Sequence, residues 1–242
     1  MSKSFFKRAA SVRPLLFAAG LVGVFYSAWV TEGPSAAEQP KVLPAPLHDV
    51  HGGNSVQTAV FAGGCFWGTQ AIFQHVEGVV ATAAGYAGGA KETAVYELTE
   101  SGNTNHAEAV RVDYDPTKVS YGTLLQVFFS VAHDPTQLNR QGADVGTQYR
   151  SAIFPQTPEQ ANIATGYIKQ LNDIHAFGSP VVTQVEPEKP FYQAEDYHQD
   201  YLVSNPTQPY IAFVEQPKVD ALKQLFPKLW RDRPLLTSDQ RG

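Results

Sequence analysis

The local architecture of this chain is decided by a strand-like run, two glycines and a helix-like run: Thr58-Ala-Val-Phe-Ala62, Gly63-Gly64 and Cys65-Phe-Trp-Gly-Thr-Gln-Ala-Ile-Phe-Gln-His75. The apolar run predicts a buried strand, and the glycines predict a sharp turn. The last run predicts a helix that begins at Cys65, the only cysteine of the chain. Free N–H groups at a helix N-terminus favour a thiolate, which is the nucleophilic form of cysteine.

Two other interpretations of Cys65 remain open on the residues alone. A single cysteine is commonly a small buried apolar side chain, which would suit a non-catalytic binding domain of the cell envelope without thiol reactivity. A cysteine hydrolase or acyl transferase would instead pair Cys65 with His106, His133 or His198 and would form a thioester. Such an enzyme would turn over esters or amides without any reductant.

Patterns typical of strands and of helices alternate along the rest of the chain. Strands are predicted at 79–84, 106–114, 150–154 and 181–185. Helices are predicted after the capping residues Ser120 and Thr157 and again at 218–226, while glycine-rich turns or loops are predicted at 85–89 and 139–150. This alternation favours an α/β domain of layered strands and helices.

Composition excludes several classes of function. The chain has 242 residues and a formal net charge of −5, without a basic block, so a nucleic-acid partner is not expected. One cysteine excludes an intrachain disulfide and a cysteine-rich zinc site. The histidines lack the spacing of metal ligands on a helix, so we expect no metal site.

The N-terminal segment has the pattern of an export signal. Basic residues between Lys3 and Arg13 precede an uncharged apolar stretch from Pro14 to Thr31, and Ser35-Ala36-Ala37 offers a small-residue cleavage site. We therefore predict that residues 1–37 are a signal peptide or, since the apolar stretch is near spanning length, an uncleaved membrane anchor. Either form predicts an exported protein of the periplasm or cell envelope.

The segment after this signal differs from the domain that follows it. Residues 38–55 are rich in proline and glycine without periodicity, and they predict a linker or an extended arm. The globular domain is expected to cover residues 56–242.

The string 63–68 (GGCFWG) resembles the active-site signature of the class A peptide methionine sulfoxide reductases, the MsrA family. Further strings that match the family follow in its order, at 85–89 (GYAGG), 102–110 (GNTNHAEAV), 133–137 (HDPTQ), 139–151 (NRQGADVGTQYRS) and 194–199 (AEDYHQ). The resemblance covers about residues 56–230. It implies a mixed sheet flanked by helices, related to the split βαβ plait, with long ordered coil.

The same resemblance implies an activity and three reacting or orienting groups. The expected reaction is the reduction of methionine S-sulfoxide, free or in proteins, to methionine. Cys65 matches the nucleophile, which attacks the sulfoxide sulfur and becomes a sulfenic acid. Glu108 matches the family's acid, which protonates the departing oxygen and must be kept protonated by burial. Asp144 matches a carboxylate that lies near the thiol and orients neighbouring groups.

Four aromatic residues match the family's substrate contacts. Tyr86 and Tyr149 correspond to the tyrosines that hydrogen-bond the sulfoxide oxygen. Phe66 and Trp67 correspond to the wall that holds the methyl group. The resemblance gives no firm role to the strings at 133–137 and 194–199.

One departure from many family members concerns the reductant. Those members carry further cysteines near the C-terminus, whereas residues 205–214 contain none. The chain therefore resembles the one-cysteine members, in which an external thiol must reduce the sulfenic acid. That thiol is expected to be a thioredoxin-like or glutaredoxin-like protein or a small molecule. No bound cofactor is implied, and a monomer is expected.

Overall fold

The computed structural model describes residues 39–241 except residues 54 and 188. The predicted export signal at 1–37 lies outside these residues. Within the described ranges, none of the helices is long and apolar enough to cross a membrane.

The described residues form strands and helices that follow one another along the chain. The strands are β1 (Gln57–Gly63), β2 (Val79–Ala87), β3 (Ala107–Tyr114), β4 (Arg140–Gln141), β5 (Asp144–Val145), β6 (Ser151–Ile153), β7 (Gln184–Val185) and β8 (Phe191–Gln193). The helices are α1 (Phe66–Gln74), α2 (Tyr96–Thr99), α3 (Tyr121–Val127), α4 (Pro158–Asp173), α5 (Tyr201–Ser204) and α6 (Gln216–Leu225). A π-helical turn continues α3, and another precedes α6.

Six strands form one mixed sheet in the order β7-β6-β1-β3-β2-β8. Strand β3 pairs antiparallel with both β1 and β2, and among the described strands only β6 and β7 pair in parallel. Because β1 and β2 are joined through α1 and separated by β3, they form the expected split βαβ unit. The fold class predicted from the sequence, a mixed sheet flanked by helices, is confirmed.

The core of the domain lies between this sheet and α1, α3 and α4. The Phe61 ring of β1 stacks on Phe73 at 5.3 Å and on Phe128 at 5.0 Å between ring centroids. Both predicted caps are present, since Ser120 accepts the N–H of Thr123 and Thr157 accepts that of Gln160. The aromatic packing fixes the end of β1, and with it the start of α1.

The predicted turn at 85–89 begins later than expected. Strand β2 continues through Gly85 to Ala87, and the left-handed backbone starts only at Gly88, with a φ of 102°. A Cβ on Gly85 would lie 2.3 Å from the Phe191 ring of β8. This glycine therefore permits a close approach between two strands, which composition alone cannot distinguish from a turn.

Residues 39–50 are bound to the surface of the domain as an extended arm. The backbone N–H of Leu43 donates to Ser130 Oγ at 3.2 Å, and the Leu43 side chain is buried. The Tyr167 hydroxyl donates to the carbonyl of Pro44 at 2.8 Å. The sequence predicted either a linker or an extended arm here, and these contacts are those of an extended arm.

Candidate functional site

Cys65 lies between the end of β1 and the first turn of α1, as predicted. Gly64 has a φ of 90°, and a Cβ on it would lie 2.5 Å from Gln141. This position therefore requires glycine for two reasons, its left-handed backbone and the close approach of Gln141. Cys65 is the N-cap of α1, and its exposed fraction is 7%. The thiol is thus held at the helix N-terminus with little access to solvent.

The expectation that this position leaves a thiolate is wrong for the resting site. A hydrogen bond from the Trp67 backbone lowers the pKa of the Cys65 thiol, as expected for a helix N-terminus. Burial outweighs it, and together with Glu108 and Glu215 it raises the pKa of Cys65 well above the usual range. The sequence showed the helix N-terminus but neither the depth of burial nor the second carboxylate.

Glu108 is the buried acid beside the thiol. It lies on β3 with an exposed fraction of 4%, and its Oε2 accepts the backbone N–H of Phe66 at 3.0 Å. Burial raises the pKa of Glu108 to about 8, assisted by the negative charges of Asp144 and Glu215. The Glu108 carboxyl group is therefore mostly protonated at neutral pH, and it lies next to the first residue after the nucleophile.

The two predicted tyrosines differ in what their hydroxyls contact. Tyr86 stands directly opposite Glu108 in the β2–β3 ladder, and its hydroxyl donates to Glu195 Oε2 at 2.9 Å. Tyr149 is half-buried, and its hydroxyl has no hydrogen-bond partner within the described part of the chain. Burial raises the pKa of Tyr149, with contributions from Glu108, Asp144 and Cys65. Tyr149 is thus a protonated phenol facing the reacting groups.

Phe66 and Trp67 begin an aromatic wall at the start of α1. The Phe66 ring lies 5.9 Å from the Tyr86 ring and 5.0 Å from the His198 ring. Trp67 stacks on Tyr201 at 3.8 Å, and its Nε1 donates to His198 Nδ1 at 3.1 Å. The sequence predicted the first two members of the wall, whereas His198 and Tyr201 join it from a distant part of the chain.

Asp144 belongs to a cluster near the thiol, which we call the Glu215 cluster: Asp144, Tyr210, Glu215 and Lys218. The Tyr210 hydroxyl donates to Asp144 Oδ2 and also lies 3.0 Å from Glu215 Oε1. Lys218 Nζ donates to both carboxylate oxygens of Glu215, at 3.1 and 2.9 Å. Asp144 is thus near the site, as expected, but its described hydrogen bond is to Tyr210 and not to Cys65.

The pairing of Cys65 with a histidine is not found. No described histidine hydrogen-bonds to Cys65. Each candidate is engaged elsewhere: His106 with the Ala90 carbonyl at 2.9 Å, His133 with Ser151 Oγ at 2.7 Å, and His198 with Trp67 Nε1 at 3.1 Å. Burial lowers the pKa of His133 to about 3, so this histidine is neutral. The hydrolase alternative is therefore not favoured.

The strings at 133–137 and 194–199, to which the resemblance gave no role, supply residues that stabilise segments next to the site. Asp134 accepts the backbone N–H of Thr136 at 2.9 Å and so closes a local turn. Gln199 bonds both the N–H and the carbonyl of Ala84 at 3.0 Å, which ties the segment after β8 to β2. Among the described residues, no group of three or more acidic, histidine or cysteine side chains could hold a metal ion.

Sequence reasoning missed Glu195 and the C-terminal members of the Glu215 cluster. Glu195 lies within the matched string 194–199, so the family resemblance marks its position without giving it a role. Glu215 and Lys218 are three residues apart at the start of α6, a spacing equally typical of an exposed helical turn. Their burial beside the thiol is a result of long-range packing.

Comparison with known proteins gives consistent matches. Residues 57–229 match the family described as peptide methionine sulfoxide reductase. A protein of Mesorhizobium japonicum named peptide methionine sulfoxide reductase MsrA 2 is 58% identical over 180 residues, which cover 74% of this chain and 92% of that relative. Peptide methionine sulfoxide reductase MsrA of Deinococcus radiodurans is 52% identical over 174 residues, covering 72% and 84% respectively.

Solved structures give similar matches. Reduced Mxr1 from Saccharomyces cerevisiae matches with a TM-score of 0.59 and 31% identity, over 67% of this chain and 92% of that chain. Methionine sulfoxide reductase A of Corynebacterium diphtheriae matches with a TM-score of 0.55 and 39% identity, over 66% and 79%.

Proposed function

This chain belongs to the peptide methionine sulfoxide reductase family, and from that membership we propose how its own residues carry out the reaction. The enzyme reduces methionine S-sulfoxide, free or in proteins, to methionine at the expense of a thiol. The observation that carries our assignment of roles is the buried acid Glu108 beside Cys65, with its pKa raised to about 8. A thiol and a protonated acid together supply what sulfoxide reduction needs.

The aromatic wall orients the substrate. The methyl group of the sulfoxide packs against Phe66 and Trp67, because these rings form the apolar side of the site. The sulfoxide oxygen then faces the sheet, where Tyr149 has an uncommitted hydroxyl to donate. Tyr86 can donate to the same oxygen only by releasing Glu195, since its one proton is engaged there.

The chemical step transfers one oxygen atom. The Cys65 sulfur attacks the sulfoxide sulfur while Glu108 gives its proton to the sulfoxide oxygen, which lowers the barrier to S–O cleavage. The oxygen then moves as a hydroxyl to the Cys65 sulfur, while the bonds from the methionine sulfur to that oxygen and to Cys65 break. Cys65 is left as a sulfenic acid, and the thioether of methionine is released. Glu108 regains a proton from the Cys65 thiol, so atoms and charge balance. The cysteine is oxidised and the sulfoxide is reduced.

Recycling requires a thiol from outside the chain. With one cysteine, no intrachain disulfide can form. An external thiol attacks the sulfenic sulfur, water leaves, and a second thiol resolves the mixed disulfide. We propose a thioredoxin-like or glutaredoxin-like protein as this reductant.

The assignment is tested by replacing Cys65 with serine. The variant should lose all release of methionine from either free or peptide S-sulfoxide with dithiothreitol as reductant, because the chain has no second thiol. Both sulfur epimers are assayed separately, and circular dichroism confirms that the variant is folded. Turnover at the wild-type level in the folded variant would refute the role of Cys65.

We also propose that the enzyme is exported and acts in the periplasm or at the cell envelope. The proposal is supported by the basic start, apolar stretch and small-residue site within residues 1–37. Cell fractionation and sequencing of the mature N-terminus test it. An N-terminus near Glu38, or an intact chain in the membrane fraction, is expected, whereas an intact soluble cytoplasmic chain would contradict it.

We propose that it works as a monomer, because the assigned site residues all come from one chain. Light scattering during gel filtration should give the mass of one chain. A stable dimer would contradict this proposal without affecting the chemistry.

A further inference from the structure

A buried ion pair lies behind the first turn of α1. The Glu215 side chain is fully buried, and Lys218, whose side chain is 20% exposed, donates to both of its carboxylate oxygens. The Tyr210 hydroxyl lies 3.0 Å from the same carboxylate and links it to Asp144. Of the four residues in this cluster, only Asp144 was expected from the sequence to belong to the site, and none has a role in the chemical step described above.

Glu215 can occupy its position only because the neighbouring residue on α1 is a glycine. Gly68 lies in the first turn of α1, three positions after Cys65, and a Cβ there would lie 1.6 Å from Glu215 Oε2. The carboxylate therefore occupies the space left by the missing side chain. This brings a full negative charge, and the Lys218 cation that neutralises it, close to the backbone that presents the thiol.

We propose that Glu215 and Lys218 are positioning residues, a matched pair of opposite charges behind Cys65 that sets how readily the thiol loses its proton. This inference rests on the proposed role of Cys65 as the nucleophile. The pair differs from a purely structural salt bridge, because its two members act on the thiol in opposite directions.

The charges around Cys65 support this interpretation. The titratable and charged groups that face the thiol or the pair come from every packed element: Glu108 on β3, Tyr96 in α2, neutral His133 after α3, Asp144 in β5, Tyr149 after β5, Tyr210, Glu215, and Lys218 on α6. Glu215 raises the pKa of Cys65 and Lys218 lowers it. Lys218 is thus the cation that offsets the carboxylates crowded around the thiol.

Loss of either charge should shift the pKa of the Cys65 thiol in a definite direction. Without Lys218, a buried carboxylate remains unpaired beside the thiol and opposes formation of a thiolate. Without the charge of Glu215, Lys218 remains and the thiolate becomes easier to form. When both charges are absent, the two effects largely cancel.

The test compares four variants, Glu215→Gln, Lys218→Met, the double variant and the control Lys223→Met. Lys223 is on the same helix but exposed, and its described partners are the exposed Asp232, at 3.8 Å, and the Trp230 ring, at 5.2 Å from its centroid. The measurement is the rate of alkylation of Cys65 by iodoacetamide at about pH 8 in the full chain, without substrate. A change of one unit in thiol pKa alters the thiolate fraction about tenfold.

The expected rate rises about tenfold in Glu215→Gln and falls about tenfold in Lys218→Met, as a pKa shift of about one unit for a nearby charge implies. The double variant should stay within about threefold of wild type, and Lys223→Met should match wild type. If Lys218→Met does not fold, as judged by circular dichroism, Glu215→Gln and the double variant decide the matter. Equal rates in all folded variants, or shifts of Glu215→Gln and Lys218→Met in the same direction, would overturn the proposal.

Alkylation needs no sulfoxide, so the alkylation rate can be measured and interpreted whether or not the reductase assay succeeds. Failure of the proposed chemistry would appear as methionine release at the wild-type level by the folded Cys65→Ser variant. Failure of the charge-pair proposal would appear only in the alkylation rates.

Discussion

Two walls of the site lie near Cys65, and they are built in different ways. The sheet wall carries Tyr86 and Glu108, which face each other across the β2–β3 ladder. The C-terminal wall carries the Glu215 cluster, contributed mainly by the segment before and within α6. The sheet wall consists of a protonated acid and a neutral phenol, whereas the C-terminal wall consists of an ion pair joined to a second carboxyl group.

The difference separates two tasks. Glu108 is buried and makes no ion pair with a cation among the described residues, so its carboxyl keeps a proton that can be given away. Glu215 is buried with Lys218 and accepts its hydrogen bonds, so its negative charge is held in place. We infer that proton transfer belongs to the sheet wall and the tuning of charge to the C-terminal wall.

Among changes in the two walls, the largest effect is expected from Glu108→Gln. An amide cannot supply a proton to the sulfoxide oxygen, so the rate of methionine release in a single turnover should fall about 10²–10⁴-fold. The matched control is Glu92→Gln, an exposed residue outside the site, which should match wild type. If the rate of methionine release falls less than a few-fold between about pH 5 and about pH 9, another residue is the general acid, and the sheet wall does not have the role proposed here.

The same variant tests the burial of Glu108 through stability. The folded pKa is raised from 4.5 to about 8, so unfolding releases a proton between these values. Wild-type stability therefore has this contribution in full below about pH 4.5 and loses it as the pH rises towards 8, by about 3 kcal/mol at pH 7. In urea unfolding, the free energy of unfolding of Glu108→Gln should therefore rise relative to that of wild type by about 3 kcal/mol as the pH increases to about 7. A difference that does not vary with pH would show that Glu108 ionises normally.

Gly68→Ala should disrupt the C-terminal wall. The new Cβ would overlap the buried Glu215 carboxylate, which Tyr210 and Lys218 hold in place. Overpacking of this kind costs about 1–3 kcal/mol, measured as the free energy of unfolding in urea.

The matched control for Gly68→Ala is Gly166→Ala on α4, where a Cβ meets no atom within 4 Å. That change should stabilise the chain by about 0.5–1 kcal/mol. If both substitutions are stabilising, Glu215 does not occupy the space beside α1.

A smaller effect is expected to separate the two tyrosines. Tyr149→Phe should slow methionine release about tenfold, the equivalent of one hydrogen bond to the sulfoxide oxygen. Tyr86→Phe should slow it less but should lower stability, because the Tyr86 proton is donated to Glu195. Equal rate losses with unchanged stability would mean that both hydroxyls serve the oxygen alike.

The sheet wall could be predicted from the sequence because its signals are local. The strand, glycine turn and helix around Cys65 follow from hydrophobic periodicity and glycine, and the structure confirms them. Glu108 and Tyr86 each lie within short strings that match the family. Their alignment across β2 and β3 then follows from strand register.

The C-terminal wall could not be predicted for a physical reason. Glu215 and Lys218 have the residue types and spacing of an exposed helical turn, and only packing against Gly68 buries the carboxylate. The error about the resting thiolate has the same origin. Helix N-terminal N–H groups are visible in a sequence, whereas desolvation and distant carboxylates are not.

The central claim, that a single cysteine takes up the oxygen and depends on an outside thiol, is tested most directly by a single turnover without reductant. Reduced enzyme is mixed with excess methionine S-sulfoxide, and methionine release is measured together with the intact protein mass. We predict one methionine per chain, one added oxygen on Cys65 that dimedone traps, and no disulfide. Release of a second methionine from the same chain, or an unmodified Cys65 after the first, would contradict the account.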